Sequence, residues 1–320
     1  MISHESHLIP GGKMKAAYFM QHGAPDVMQY GEVPDPVAGP DEVLVDVHAA
    51  SVNGADWKVR VGHYAPITDF PYVPGRDFSG VVRALGDGVK EFAIGDAVFG
   101  VCDVGQEAAY AEKIAIKAAI VARKPEKLTH VECAAVSLIG LTALCSVEDT
   151  LQLKSGETIL IQGGAGGVAS FAIQLSKTIG ARVITTASAA NHDYLRSLGA
   201  DEIIDYNSQD VTQAVSGCDA VFDTVGGDVA MRSFAVLRPG GRAAFIASGN
   251  TAPASPRADV VSLRPKVGRD RAHLDRTAAL ISSGAVRVPE IKTYKLSEAA
   301  AAHAVSEGRH LRGKLVFKVR

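Results

Sequence analysis

The residues best suited to chemistry are Gly164-Ala165-Gly166-Gly167-Val168-Ala169, which fit the spacing Gly-x-Gly-x-x-Gly/Ala. At the first position Gly164 allows a tight turn. At the third, Gly166 lets a pyrophosphate approach the backbone, and at the sixth the small Ala169 lets a helix pack on a strand. Glycine spacing alone occurs in many turns, so the flanks decide. Ile159-Leu-Ile-Gln162 is a short apolar run that reads as a buried parallel strand. Beyond the glycines, Val168, Phe171, Ala172 and Leu175 recur at three- and four-residue steps, the apolar face of a helix. A strand that runs through glycines into a helix offers free N–H groups and a positive dipole end to phosphate. The predicted chemistry is dinucleotide binding, with Gly164, Ala165, Gly166, Gly167 and Val168 around the phosphates.

The elements around this motif alternate. Residues 182–187 read as a second strand, 191–198 as a helix stopped by Gly199, and 202–206 and 219–224 as further strands. Residues 229–237 read as a helix ended by Arg238-Pro239-Gly240-Gly241, 242–248 as a strand and 270–283 as a helix. Alternation of this kind predicts an α/β fold with a doubly wound parallel sheet, its ligand at the carboxyl ends of the strands. The upstream half differs. Residues 42–48, 78–84 and 97–101 alternate apolar and polar, and turns at Gly86-Asp87-Gly88 and Gly95-Asp96 punctuate them. Closely spaced short strands predict a barrel-like domain. The character changes near His130, where 131–148 becomes apolar and helical. Residues 298–305 are an alanine-rich helix former. Residues 313–319 alternate like a strand with no place in the cofactor sheet, and are expected to rejoin the first domain. The expected organisation is a flexible tail at 1–13, a β-barrel domain from 14–129 and 268–320, and a dinucleotide domain at 130–267.

Composition narrows the function. The 320 residues, 47% hydrophobic and 21% charged with net charge −2, describe a globular protein with no pull toward nucleic acid or an anionic membrane. No apolar stretch is expected to reach the length of a membrane span, and the polar first residues lack the apolar core of a signal peptide. A cytoplasmic location is the expectation. Cys102, Cys133, Cys145 and Cys218 show no C-x-x-C spacing and read as reduced core residues.

Several ordered motifs together resemble the medium-chain dehydrogenase/reductase superfamily from Met14 to the C-terminus. Val73-Pro-Gly-Arg-Asp-Phe-Ser-Gly-Val-Val82, Gly86, Val89 and Gly95-Asp-Ala-Val-Phe-Gly100 are similar to its barrel signature. Ser51-Val-Asn-Gly-Ala-Asp-Trp-Lys-Val-Arg60 with Gly62 and Tyr64 resembles its quinone oxidoreductase branch, of zeta-crystallin type. Leu198-Gly-Ala-Asp-Glu-Ile-Ile-Asp-Tyr206 and Leu237-Arg-Pro-Gly-Gly-Arg242 are equally similar to the superfamily. The resemblance implies a GroES-like catalytic domain, a Rossmann domain and a homodimer, with residues 258–265 available as an edge strand.

Zinc members of the superfamily place Cys where this chain has Asn53, His and Glu where it has Arg76-Asp77, and a third ligand near Leu138. Amide, guanidinium and isobutyl groups cannot assemble a zinc tetrahedron, the cysteine-rich zinc lobe is missing, and His48 and His63 show no ligand spacing. No metal site is predicted. The resemblance also places Asn53 and Tyr64 at the active-site cleft. Tyr64 would donate a proton to the acceptor oxygen or pack against the wall, and Asn53 would orient a carbonyl or tie a loop. Asp56 reads as a structural hydrogen-bond partner, with Arg60 in reach.

An NAD-preferring fold holds the ribose diol with an acid about twenty residues past the glycines. Here the second strand ends Thr185-Thr-Ala-Ser188, without one. That favours NADPH over NADH, and the resemblance puts Ser188, Asn191 and Tyr206 around the 2′-phosphate, with His192 as an extra contact. Against this, Asn is also a good helix cap. By the same resemblance Thr142 and Lys314 lie near the cofactor, and Val225, Ser248 and Gly249, at the ends of later strands, are expected to line its groove. Each has a plainer reading: helix packing, turns or a solvated lysine.

Without a Lewis acid, an electron-poor acceptor needs least help. The expected function is hydride transfer from NADPH to a small electrophile, a quinone or an α,β-unsaturated carbonyl. Two alternatives stand beside it. One is a zinc-independent alcohol or aldehyde dehydrogenase with a compensating general acid. The other is a non-catalytic NADPH-binding structural or sensor protein.

Overall fold

The computed structural model describes residues 8–64 and 67–320. It divides into two compact units. The first takes the chain up to Leu138 together with Arg269–Ser282 and Glu290–Arg320, and the second takes Ile139–Gly268 with Ser283–Pro289. The expected divisions at 129/130 and 267/268 therefore fall at 138/139 and 268/269. The short return of Ser283–Pro289 has a local cause. The side chain of Gln174 bonds both the N–H and the carbonyl of Arg287, at 2.9 and 3.2 Å.

The second unit is built on a six-stranded parallel sheet. Its order is Glu202–Asp205, Arg182–Ala187, Thr158–Gln162, Cys218–Asp223, Leu237–Phe245, Val261–Leu263. Ile159, Leu160 and Ile161 are fully buried, as a strand covered on both faces requires. Thr158–Gln162 has strand 182–187 on one side and 218–223 on the other, so the winding reverses there. That is the switch point at which such sheets bind ligands. The helix expected at 229–237 is shorter. Asp228–Ser233 is α-helical, a 3-10 turn covers Phe234–Val236, and Leu237 already starts the strand. Phe234 and Val236 face the core beside Phe245, and this burial sets their place.

The first unit holds a seven-stranded sheet plus a two-stranded one. Glu42–Val52 is its spine and pairs antiparallel with Asp77–Leu85, Lys113–Lys117 and Lys314–Lys318. The C-terminal strand thus joins the first unit, as its alternation predicts. Its inward side chains Leu315 and Phe317 pack with Val45, Val47, Phe78 and Tyr110. The tail expected at 1–13 is a correction. Residues 1–7 lie outside the described residues, and the strand Leu8–Tyr18 pairs with Gln29–Pro36. Its backbone hydrogen bonds come from a partner some twenty residues away, which polarity does not reveal. Among the described residues the four cysteines are buried and form no disulfide. One further expectation fails. His130–Leu144 continues through a π-turn, Cys145–Thr150, into 21 residues long and apolar enough to cross a membrane. Most of its apolar stretch is buried inside the protein, which accounts for its hydropathy.

Candidate active site

In the second unit the glycine loop joins the central strand to the helix Gly167–Ile179. The turn itself belongs to Gly163, whose φ is +76°, and not to Gly164 as the motif suggests. Gly164 is needed for space, because a Cβ there would sit 2.3 Å from Thr185 Oγ1. Gly166 is the N-cap, and a Cβ on it would meet protein only at Gly163 O, 3.4 Å away. That face of the loop is open to an incoming group. The first helical bond runs from the Ser170 N–H to Gly166 O at 2.8 Å. The N–H groups of Gly167, Val168 and Ala169 therefore lie ahead of the helical ladder. Ala165 fills the turn, and Ala169 is buried, as helix-on-strand packing needs. An open cradle, orphan donors and a helix dipole fit a pyrophosphate.

The other predicted cofactor contacts of this unit take varied positions. Asn191 donates through Nδ2 to Ser188 Oγ at 3.2 Å, so these two residues are brought together. Asn191 precedes the helix His192–Ser197, but its side chain makes no cap bond there. His192 Nε2 is buried with no hydrogen-bond partner among the described residues. Tyr206, at the end of the next strand, is exposed. Thr142 is buried, and its carbonyl accepts from Ser146 Oγ at 2.6 Å. Val225 is exposed while its N–H donates to Asp223. Ser248 Oγ donates to Thr251 O, and Gly249 has a φ of +79°.

In the first unit a buried polar network surrounds Asn53. Asp77 Oδ1 accepts from Ser51 Oγ and Asn53 Nδ2, each at 2.8 Å, while Asp77 Oδ2 accepts from the Leu138 N–H at 3.2 Å. On the other side Lys314 Nζ donates to Asn53 Oδ1 at 2.7 Å and to Val52 O at 2.8 Å. The Asn53 amide is thus a dipole held between an ammonium and a carboxylate, in the loop-tying arrangement. Lys314 is only 4% exposed, which corrects the solvated-lysine reading. Burial pushes the Asp77 carboxyl up and the Lys314 ammonium down, and the charge of each restrains the shift of the other.

A second network starts at Asp56, in the helix Gly54–Arg60. Asp56 Oδ2 accepts from the Asn53 N–H at 2.9 Å and from Tyr110 Oη at 2.7 Å. Arg60, the partner the sequence suggests, is elsewhere: it bonds Gly23 O, His303 and Glu307. Burial raises the Asp56 carboxyl to about 6, against the charge of Arg76. Arg76 Nη2 lies 3.2 Å from Glu107, which also accepts from Tyr72 Oη at 3.0 Å. The Arg76 guanidinium sits 5.9 Å from the ring of Tyr64, and Tyr64 is 40% exposed. Gly75 makes this possible, because a Cβ there would lie 2.2 Å from the Tyr110 ring. Tyr110, Glu107 and the coupling of Lys314 to Asp77 escaped sequence reasoning. Only the glycine before Arg76 hinted at them.

Comparisons with known proteins place the chain in a family. Residues 39–126 match the alcohol dehydrogenase GroES-like domain, and residues 198–317 match a zinc-binding dehydrogenase domain. A quinone oxidoreductase of Pseudomonas aeruginosa is 32% identical over 95% of this chain and 99% of its own length. The chain belongs to the quinone oxidoreductase branch of the medium-chain dehydrogenase/reductase superfamily.

Other matches within the superfamily extend the picture. The 2-methylene-furan-3-one reductase of Solanum lycopersicum is 35% identical over 75% of this chain, which spans 64% of that protein. The structure of Escherichia coli quinone oxidoreductase complexed with NADPH matches with a TM-score of 0.87 at 26% identity, covering 95% of this chain and 100% of that one. These relatives make the chain an oxidoreductase. At the superfamily's zinc positions it carries the Asn53 amide, the Arg76 guanidinium and the Leu138 side chain. This donor set does not fit zinc: none of the three supplies a thiolate, imidazole or carboxylate. The charge of Lys314 opposes the upward push of burial on the nearby Asp77 carboxyl.

Proposed function

We propose that this oxidoreductase works without zinc and passes hydride from NADPH to a quinone or an α,β-unsaturated carbonyl. The carrying observation is a pair of cations at and beside the positions where zinc members keep metal ligands: Arg76 faces the buried carboxylates of Asp56 and Glu107, and Lys314 donates to Asn53 Oδ1 and Val52 O. The P. aeruginosa, tomato and E. coli relatives are named for quinone or furanone reduction, which supports the acceptor class.

Bound NADPH supplies the hydride. The chain's own part is to hold and polarise. The Gly163–Gly166 turn and the helix N-terminus take the pyrophosphate. Ser188 and Asn191, already bonded to each other, take the 2′-phosphate with Tyr206, where no carboxylate repels it. Thr142, Val225, Ser248 and Gly249 complete the cofactor groove. In this reading Lys314 acts through Asn53 and Asp77 instead of touching cofactor, while Asn53 fixes the loop that carries Asp56. Arg76 and the Tyr64 hydroxyl face the oxygen on which negative charge develops, and Tyr64 gives the proton. A homodimer through the open edge of strand Val261–Leu263 and a cytoplasmic location complete the proposal.

The test is NADPH oxidation with a small quinone, an enone and an aldehyde, on protein analysed for metal. Reduction of the first two by metal-free protein is the expected result. Turnover of the aldehyde alone, or activity that tracks zinc content, would refute the proposal. NADPH binding without oxidation of any acceptor would favour a sensor or structural role.

A further inference from the structure

The loop that cradles the phosphates rests on a buried polar network. Strand Thr158–Gln162 is apolar and fully buried at Ile159, Leu160 and Ile161, yet it ends on Gln162, which is only 2% exposed. A buried amide is costly unless its groups are bonded, and a leucine would fill this place without that cost. Both ends of the Gln162 amide are bonded. Its Oε1 accepts from Thr186 Oγ1 at 2.7 Å, and its Nε2 donates to Ser233 Oγ at 3.1 Å. The Ser233 hydroxyl in turn donates to Val229 O at 2.8 Å.

Thr186 links this network to the glycine loop. While its hydroxyl donates to Gln162, the same oxygen accepts from the Gly163 N–H at 3.1 Å. Its carbonyl accepts from the Gly164 N–H at 2.9 Å. Two successive amides of the turn therefore bond to one residue of the neighbouring strand Arg182–Ala187. On the opposite face of that strand Thr185 donates to Ile161 O at 2.7 Å, and its hydroxyl stands where a Cβ on Gly164 would go. Just past the strand on the other side, Thr224 Oγ1 donates to Gln162 O at 2.8 Å. Gly163, with its φ of +76°, is thus held between two strands. Its N–H and that of Gly164 are tied to Thr186, which leaves those of Gly167, Val168 and Ala169 ahead for a ligand. A loop fixed before its ligand arrives loses less freedom on binding. Among neutral groups of this size, only a hydroxyl donates to Gln162 and accepts from Gly163 at one atom.

We propose that Thr186 is a positioning residue for the cofactor: through its bonds to Gln162 and Gly163 it sets the glycine turn in the shape that receives the pyrophosphate. The inference deepens the proposed function and rests on its placement of NADPH.

The test compares Thr186→Val, which keeps the shape of the side chain and removes the hydroxyl, with Thr186→Ser, which restores it. Calorimetry of NADPH on the full chain should show affinity about fivefold or more lower in the valine variant, the factor that one neutral hydrogen bond is worth, and close to wild type in the serine variant. In turnover with a small quinone, KM for NADPH should rise by the same factor, while kcat and the quinone's KM stay within about twofold of wild type. Adenosine 2′-monophosphate, which has no pyrophosphate, should bind all three proteins equally. Thr186→Ala removes the same hydroxyl and replaces the valine variant if that one does not fold. Undiminished NADPH affinity without the hydroxyl, a loss that serine does not restore, or an equal loss for adenosine 2′-monophosphate would overturn the proposal. Failure of the wild type to bind NADPH would sink the cofactor reading instead. Amide hydrogen exchange at Gly163 then still decides whether the hydroxyl holds the turn: it should be faster in Thr186→Val than in wild type and Thr186→Ser, and equal rates would refute that role.

Discussion

Replacing Lys314 by Met is the sharpest probe of the network around Asn53. The substitution keeps the volume of the stem and removes one buried charge. Asp77, fully buried, then loses the strongest influence opposing its desolvation. Asn53 Oδ1 and Val52 O lose their donor. Breaking a buried pair on one side costs about 3–5 kcal/mol. For a unit of this size that lowers the melting temperature of its transition by roughly 6–20 °C. The pH dependence has a definite sign. Asp77 already titrates above an ordinary aspartate, and without the ammonium it rises further. The folded state then holds a proton that the unfolded state releases. The variant is therefore least destabilised below the unfolded carboxylate range and loses stability as pH rises through the folded pKa. Asp77→Asn should rescue the lysine variant, because the uncompensated charge is gone while Asn53 Nδ2 keeps an acceptor. The assay is thermal and urea unfolding of both single variants and the double variant, from acid to mildly alkaline pH. Additive losses in the double variant, or a Lys314→Met deficit that does not change with pH, would refute the electrostatic argument.

The remaining predictions concern other sites. Gly166→Ala should cost little stability, since its Cβ meets only Gly163 O at 3.4 Å, yet weaken NADPH binding at least about tenfold; equal affinity by calorimetry would show that the cradle holds no phosphate. Asp56 gives the wild type an acid-side signature. With a folded value near 6 against 3.8, about 3 kcal/mol present below the unfolded value is lost as pH climbs through 6, and Asp56→Asn should flatten that slope in unfolding titrations. Tyr64→Phe should lower kcat for an enone by roughly tenfold or more, as loss of a general acid does, and an unaltered kcat excludes its hydroxyl as the proton source. Val261→Lys, on an edge strand where Val261 is half exposed, should shift a dimer toward monomer in sedimentation, because a charged edge resists pairing; a wild-type monomer would remove that interface.

Much of the fold was legible because it rests on local pattern. The apolar run 159–161, the glycines and the helical face of Val168, Phe171, Ala172 and Leu175 each report short-range structure, and together they placed the strand, turn and helix of the cofactor motif; the reversal of winding at that strand came from the strand order. Short alternating strands suggested the barrel, and the family motifs added its GroES-like type and the quinone oxidoreductase branch. The resemblance marked the zinc positions, and the identities of Asn53, Arg76 and Leu138 there showed which donors are missing. Geometry could not be read in the same way. The turn residue was Gly163 and not Gly164, since φ depends on how the strand leaves the sheet. Asp56 found Tyr110, 54 residues away, instead of neighbouring Arg60, and Lys314 reached Asn53 across 261 residues. Residue types and their spacing along the chain set what chemistry is possible. Which charge is buried beside which depends on antiparallel pairing such as that of Lys314–Lys318 with Glu42–Val52, a contact between distant segments that no local pattern encodes.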